Sequence, residues 1–177
     1  VQSALRGDMP AEQALHEISD TVDRATQLAN QMLALAKVEQ LRQQSEPPIT
    51  RLDEVLRTVA LEISPLIAQR DLDFGIHTEA APVRAHEWML RELTRNLLHN
   101  AVRHAPHGSE LAVDLRCDAH HTALTISDCG PGIEPELAAR LFQPFSAGDV
   151  RSGSGLGLAI CQEIVQALGG SITLTNR

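Results

Sequence analysis

Lysine occurs once in this chain, at Lys37, tyrosine is absent, and aromatic residues make up only 2% of its 177 residues. Positive charge is outnumbered, 15 Lys+Arg against 23 Asp+Glu, for a formal net charge of -8. Such a chain repels a phosphate backbone unless its cations gather on one face, which argues against duplex nucleic acid as a partner. Four aromatics (Phe74, Phe142, Phe145 and Trp88) are too few for the stacking platforms that hold single strands. Cysteine is scarce as well. Cys117, Cys129 and Cys161 are odd in number and never spaced CxxC, so neither a disulfide framework nor a zinc site is expected, and a reducing compartment fits. No apolar run approaches the roughly 18 residues of a membrane span, and no signal peptide opens the chain. At 43% hydrophobic, this length suits one ordinary domain with an appendage.

The appendage is helical. Leu15, Ile18, Val22, Ala25, Ala29, Met32 and Ala36 recur at alternating steps of three and four, an a/d seam of about three heptads. Leu28, Leu33 and Leu35 widen the stripe towards a helical bundle. Gly7, Asp8 and Pro10 predict a turn joining Val1–Arg6, the tail of a preceding helix, to this long one. Two prolines in Ser45–Pro48 stop the helix, and residues 1–46 and 47–177 are expected to be separate units.

Beyond that point the pattern alternates. Thr50 is the expected N-cap of a helix to about Gln69, with Asp53 in its first turn. A strand follows at Leu72–Thr78, then a helix at Glu87–Ala105, and two strands near Glu110–Arg116 and Thr122–Ser127 around a polar turn at Asp118–His121. A short helix is expected around Pro135–Leu141, a last helix at Leu156–Leu168, and a final strand at Ser171–Thr175. Two adjacent strands without a crossover helix indicate an α+β two-layer sandwich, not a doubly wound sheet.

Four clusters carry chemistry. Asn96 and Asn100 lie one turn apart on the helix that packs a sheet through Leu93, Leu97 and Ala101, with Arg103 and His104 just beyond. Taken alone they read as surface asparagines; the sharper reading is an oxygen ligand for Mg²⁺, which takes few protein ligands, beside phosphate-binding cations. Asp128-Cys129-Gly130-Pro131-Gly132 places a carboxylate at a strand end before two glycines. That suits an exocyclic amine, although an ordinary turn has the same letters. Gly153-Ser154-Gly155-Leu156-Gly157-Leu158 opens the last helix, where backbone N–H groups and the dipole favour an anion. It is not the dinucleotide fingerprint, since no βαβ unit with a trailing acid surrounds it. Phe142 and Phe145 bracket Gln143-Pro144 ahead of Ser146–Ser152, reading as anchors of a mobile lid.

In this order and spacing the four clusters resemble the N, first glycine, F and second glycine boxes of the ATP-binding half of bacterial sensor histidine kinases. The resemblance spans about Thr50–Arg177, and the preceding helix resembles the second helix of that family's dimerisation and histidine-phosphotransfer domain. It implies a Bergerat-type α/β sandwich preceded by a long bundle-forming helix, with Mg-ATP held between helices and a lid. By the resemblance Asn100 would coordinate Mg²⁺ and Asn96 support it. Arg103 and His104 would contact phosphates, and Asp128, with Gly130 and Gly132 letting the ring approach, would bind the adenine amine. Phe145 would anchor the lid, Arg151 would reach the γ-phosphate, and Gly153, Gly155, Leu156 and Gly157 would face the phosphates. It further implies a homodimer through the N-terminal helix, a response-regulator receiver domain as partner, and a cytoplasmic position in an inner-membrane protein, with no direct membrane contact by these residues.

Gyrase-like and Hsp90-like ATPases of the same fold place a glutamate base four residues before the Mg²⁺ asparagine. Here that position is Asn96, which favours phosphoryl transfer to an outside nucleophile over hydrolysis. Glu92, one turn further back, keeps an ATPase open as an alternative, alongside a serine kinase or a non-catalytic dimerisation and nucleotide-binding module. His16-Glu17 superficially resembles the family's phosphoacceptor motif, but no proline follows and the segment reads as the second helix. The acceptor is expected before Val1, and the last strand of the sheet is expected to be truncated.

Overall fold

The computed structural model describes residues 11–43, 46–138, 140–143 and 156–176. The turn expected at Gly7–Pro10, the lid Ser146–Ser152, and Phe145, Arg151, Gly153 and Gly155 lie outside the described residues, as does the side chain of His16.

The long helix α1 runs over Ala11–Arg42. All seven seam residues, from Leu15 to Ala36, are exposed on it. The face that packs on the rest of the chain is Ala34 and Val38 with Leu41 and Leu35, the last a residue expected in the widened stripe, whereas Leu33 of that stripe is exposed. The segment then gives β1 (Ile49–Arg51), α2 (Leu52–Gln69), β2 (Asp73–Thr78), β3 (Pro82–Arg84) and α3 (Glu87–His104). After these come β4 (Glu110–Cys117), β5 (Thr122–Asp128), α4 (Pro135–Ala138) and α5 (Gly157–Ala167).

Thr50 does not cap α2. It lies within β1, which pairs antiparallel with β3, Thr50 opposite Val83, and its hydroxyl donates to the Ala85 carbonyl at 2.7 Å. The N-cap is Arg51, which makes no side-chain capping bond. Asp53 organises the corner instead. Its carboxylate, 6% exposed, accepts from the Arg51 guanidinium at 2.9 and 2.7 Å and from the Ala81 N–H at 3.0 Å. One buried carboxylate thus ties β1, the start of α2 and the chain entering β3. Further along, Pro65 sits inside α2 and offers no N–H to the Leu61 carbonyl; the Ser64 hydroxyl donates to that carbonyl at 2.8 Å, so the helix continues.

The main sheet has the order β2-β4-β5, with β2 parallel and β5 antiparallel to β4. Alternation on β4 buries Leu111, Val113 and Leu115 against α2 and α3, while Ala112, Asp114 and Arg116 occupy the open face. This is the two-layer α+β sandwich expected from the adjacent strands. Its core joins Leu56, Val59 and Ile63 of α2, Leu90, Leu98, Ala101 and Val102 of α3, and the inner face of β4. Leu56, Leu98, Leu111 and Leu115 are fully buried, each contributing about 1.5–3 kcal/mol of transfer free energy.

Helix α3 is apolar on two sides, which alters one expectation. Ala101 does face the sheet, but Leu93 and Leu97 do not. They turn the other way, with Met89 and Trp88, into a second core formed with Ala34 and Val38 of α1 and Ile160, Cys161 and Ile164 of α5. The strand expected at Ser171–Thr175 is also absent: residues 171–176 join no sheet. The contact there is made by a side chain. The Asn176 amide bonds the backbone of Ile133 in both directions at 2.8 Å, in place of a ladder.

Candidate nucleotide site

The amides continue the stripe of α3 that turns towards α5, Asn96 three positions after Leu93 and Asn100 three after Leu97. Asn96 and Asn100 are half-buried, one turn apart. The Asn96 Nδ2 donates to the Glu92 carbonyl at 2.8 Å, which fixes its Oδ1 towards the start of α5. A Cβ on Gly157 would come within 3.1 Å of that Oδ1, so a glycine is what lets the two helices meet here. Helix α5 begins at this contact, behind the buried Leu156, and among the described residues no side chain caps its N-terminus. Its first N–H groups and the positive end of its dipole therefore lie beside Asn96, an arrangement that favours an anion. Arg103 and His104, in the last turn of α3, are exposed.

A second convergence forms at the end of β5. Asp128 is its last residue and pairs with Leu111, so its side chain lies on the helix-covered face of the sheet. The Gly130 N–H donates to Asp128 Oδ1 at 2.7 Å. A Cβ at position 130 would fall 2.6 Å from that oxygen and 3.2 Å from the His104 carbonyl. Strand end, glycine loop and the C-terminus of α3 meet at a point where only a glycine fits. Gly132 has φ +76°, and a Cβ there would lie 3.3 Å from Asn176 Oδ1; a side chain at that φ is also strained.

The structure thus brings Asn96 together with Gly157, and Asp128 together with Gly130 and His104. Neutral amide oxygens at Asn96 and Asn100 are hard donors of the kind Mg²⁺ accepts alongside phosphate and water, so the residues present fit that ion. Two features were missed in the sequence. Glu92, one turn before Asn96, accepts from Arg95 Nη1 at 3.3 Å, and Asn176 braces the glycine loop. The first could have been sought at the i, i+3 spacing of opposite charges; the second left no periodic signal.

The family model for histidine kinase-, DNA gyrase B- and HSP90-like ATPases matches residues 85–177, and the chain belongs to that family. Within it, the catalytic domain is of the sensor histidine kinase type. The chain is 32% identical over 178 residues to the sensor protein QseC of Salmonella typhi, covering 97% of this chain. It spans only 39% of QseC's length. The mycobacterial sensor histidine kinase MprB is 30% identical, with a TM-score of 0.62 over 71% of this chain and 82% of that one. The histidine kinase AdeS of Acinetobacter baumannii shares the fold at a TM-score of 0.74 and 24% identity, over 94% of this chain and 79% of its own.

Proposed function

We propose that this chain is the Mg-ATP-binding catalytic part of a sensor histidine kinase that transfers the γ-phosphoryl group to a histidine of its dimerisation bundle, for relay to an aspartate of a response-regulator receiver domain. The observation that carries the reading is the position of Asn96 against Gly157 at the start of α5. An amide, not a carboxylate, stands beside the helix end suited to phosphate, so this position lacks a base to activate water. Glu92 does not supply one, because its carboxylate is held by Arg95 and lines the groove between α1 and α3. These placements favour transfer to an incoming nucleophile over hydrolysis.

In this reading Asn100 holds Mg²⁺ with Asn96 in support, and the ion neutralises phosphate charge when bound. Arg103, His104 and the lid residue Arg151 contact phosphates, with Gly153, Gly155, Leu156 and Gly157 presenting backbone to them. Asp128 accepts the adenine amine while its Oδ1 also accepts the Gly130 N–H; Gly130 and Gly132 leave room for the ring, and Phe145 anchors the lid. Residues 1–46 belong to the dimerisation hairpin and 47–177 form the catalytic domain. The exposed seam of α1 is the face that meets the second chain of a homodimer. The parent protein is placed in the inner membrane with this part on the cytoplasmic side; among the described residues no helix is long and apolar enough to cross a membrane.

Calorimetric titration with a non-hydrolysable ATP analogue, with and without Mg²⁺, tests the reading. Binding is expected, strengthened by Mg²⁺ and reduced at least about tenfold, or ~1.4 kcal/mol, in a folded Asp128→Ala variant. A well-folded wild-type chain that ignores the analogue would point to an interaction module instead.

A further inference from the structure

Asn176 lies 43 positions beyond Ile133, yet its amide replaces a backbone partner for that residue. The Ile133 N–H donates to Oδ1 and Nδ2 donates to the Ile133 carbonyl, both at 2.8 Å. Gly132, the last glycine of the Asp128–Gly132 loop, leaves open the space that this amide occupies, 3.3 Å from where its Cβ would stand. Between Asp128 and Ile133 the loop therefore has two fixed points. The Gly130 N–H is bound to Asp128 at one end, and Ile133 is bound to Asn176 at the other.

The chain leading to Asn176 comes directly from α5. That helix starts against Asn96 at Gly157, ends at Ala167, and turns back through Gly169 at φ +73°. One continuous segment, 157–176, therefore touches Asn96 with its first residue and braces the Asp128 loop with its last.

We propose that Asn176 is a positioning residue for the adenine end of the site, holding the Asp128–Gly132 loop in its nucleotide-ready shape through the backbone of Ile133. This rests on the Mg-ATP reading above. A loop held before the ligand arrives loses less conformational freedom on binding, so removal of the brace lowers affinity without removing any ligand contact. The metal end is built by α3 and the start of α5 and does not depend on the brace. Loss of Asn176 should therefore weaken binding by the same factor with and without Mg²⁺.

The test compares wild type with Asn176→Ala and Asn176→Asp. The aspartate keeps an acceptor for the Ile133 N–H but offers no donor to its carbonyl at neutral pH. Affinity for the ATP analogue is measured by calorimetry with and without Mg²⁺, and exchange of the Ile133 amide by hydrogen–deuterium exchange. The expected result is about a tenfold loss of affinity in Asn176→Ala, a smaller loss in Asn176→Asp, an unchanged Mg²⁺ enhancement, and faster exchange at Ile133 in Asn176→Ala. Wild-type affinity in both variants overturns the proposal, as does a loss that alters the Mg²⁺ enhancement. Failure of the wild type to bind the analogue overturns instead the nucleotide reading on which it rests.

Discussion

Asn96 and Gly157 meet more tightly than a side chain at 157 would ordinarily allow: the Asn96 Oδ1 lies 3.1 Å from the position a Cβ on Gly157 would take. Because Asn96 is held from behind by its bond to the Glu92 carbonyl, it cannot yield without breaking that bond. Gly157→Ala should therefore weaken Mg-ATP-analogue binding about fivefold, or ~1 kcal/mol. The thermal midpoint should change little, since alanine's helix preference over glycine, up to about 1 kcal/mol, offsets the strain of the contact. Calorimetry and thermal melts read the two effects separately, and a parallel fall in both would disconnect residue 157 from the site.

Asp53 makes stability depend on acid. The Arg51 guanidinium, bonded to its carboxylate, and then the Ala81 N–H hold it down to a pKa of about 2 despite burial that pushes the other way. A carboxyl depressed in the folded state contributes stability above its unfolded pKa, near 4, and loses that contribution as pH falls towards about 2. Asp53→Ala, which leaves the Ala81 N–H without its acceptor, should cost about 1–3 kcal/mol near neutrality. Denaturant titrations between pH 6 and 2.5 should show that difference shrinking as the wild type is acidified; a constant difference would remove Asp53 from the account.

The cysteines should react in order of access. Cys161 is fully buried between α3 and α5, its thiol within 3.8 Å of the Leu93 carbonyl, and burial pushes it up to about 12 from 9.0. A shift of that size lowers the thiolate fraction by about 1000-fold. Cys129 is exposed and should label first with a maleimide, with Cys161 modified only after unfolding. Peptide mass spectrometry of a time course distinguishes the sites, and early modification of Cys161 would show that the α1–α3–α5 core opens readily.

The α1 seam predicts self-association. Leu15, Val22 and Met32 are 66, 55 and 62% exposed, an apolar row that a single chain leaves uncovered. Sedimentation should show concentration-dependent dimerisation of the wild type, abolished by Ile18→Asp combined with Val22→Asp. Identical monomer behaviour of both proteins would mean that this helix does not assemble alone.

Long periodic segments were legible in the sequence. The helix Glu87–His104 and the strands Glu110–Cys117 and Thr122–Asp128 fall within a residue or so of expectation, because each repeats its pattern often enough to define a period. Strands β1 and β3, three residues each, are too short to alternate, and β1 took the position expected for the cap of α2. Heptad spacing identified the exposed face of α1 but not the one that packs on α3 and α5. That second stripe is set by the partner surface, which no local pattern encodes. The same limit hid the role of Asn176. Its value comes from Ile133, and contacts of that separation appear only once the chain has folded.

Trp88 and Lys37 are the only tryptophan and the only lysine of the chain, and they meet across the α1–α3 junction, the ammonium 4.4 Å from the ring centroid. The entire indole emission of the molecule therefore originates at the seam between its stem and its catalytic body. A spectrofluorimeter, without any dye attached, reads whether the stem is seated, and quenching by iodide reports its lifting in real time.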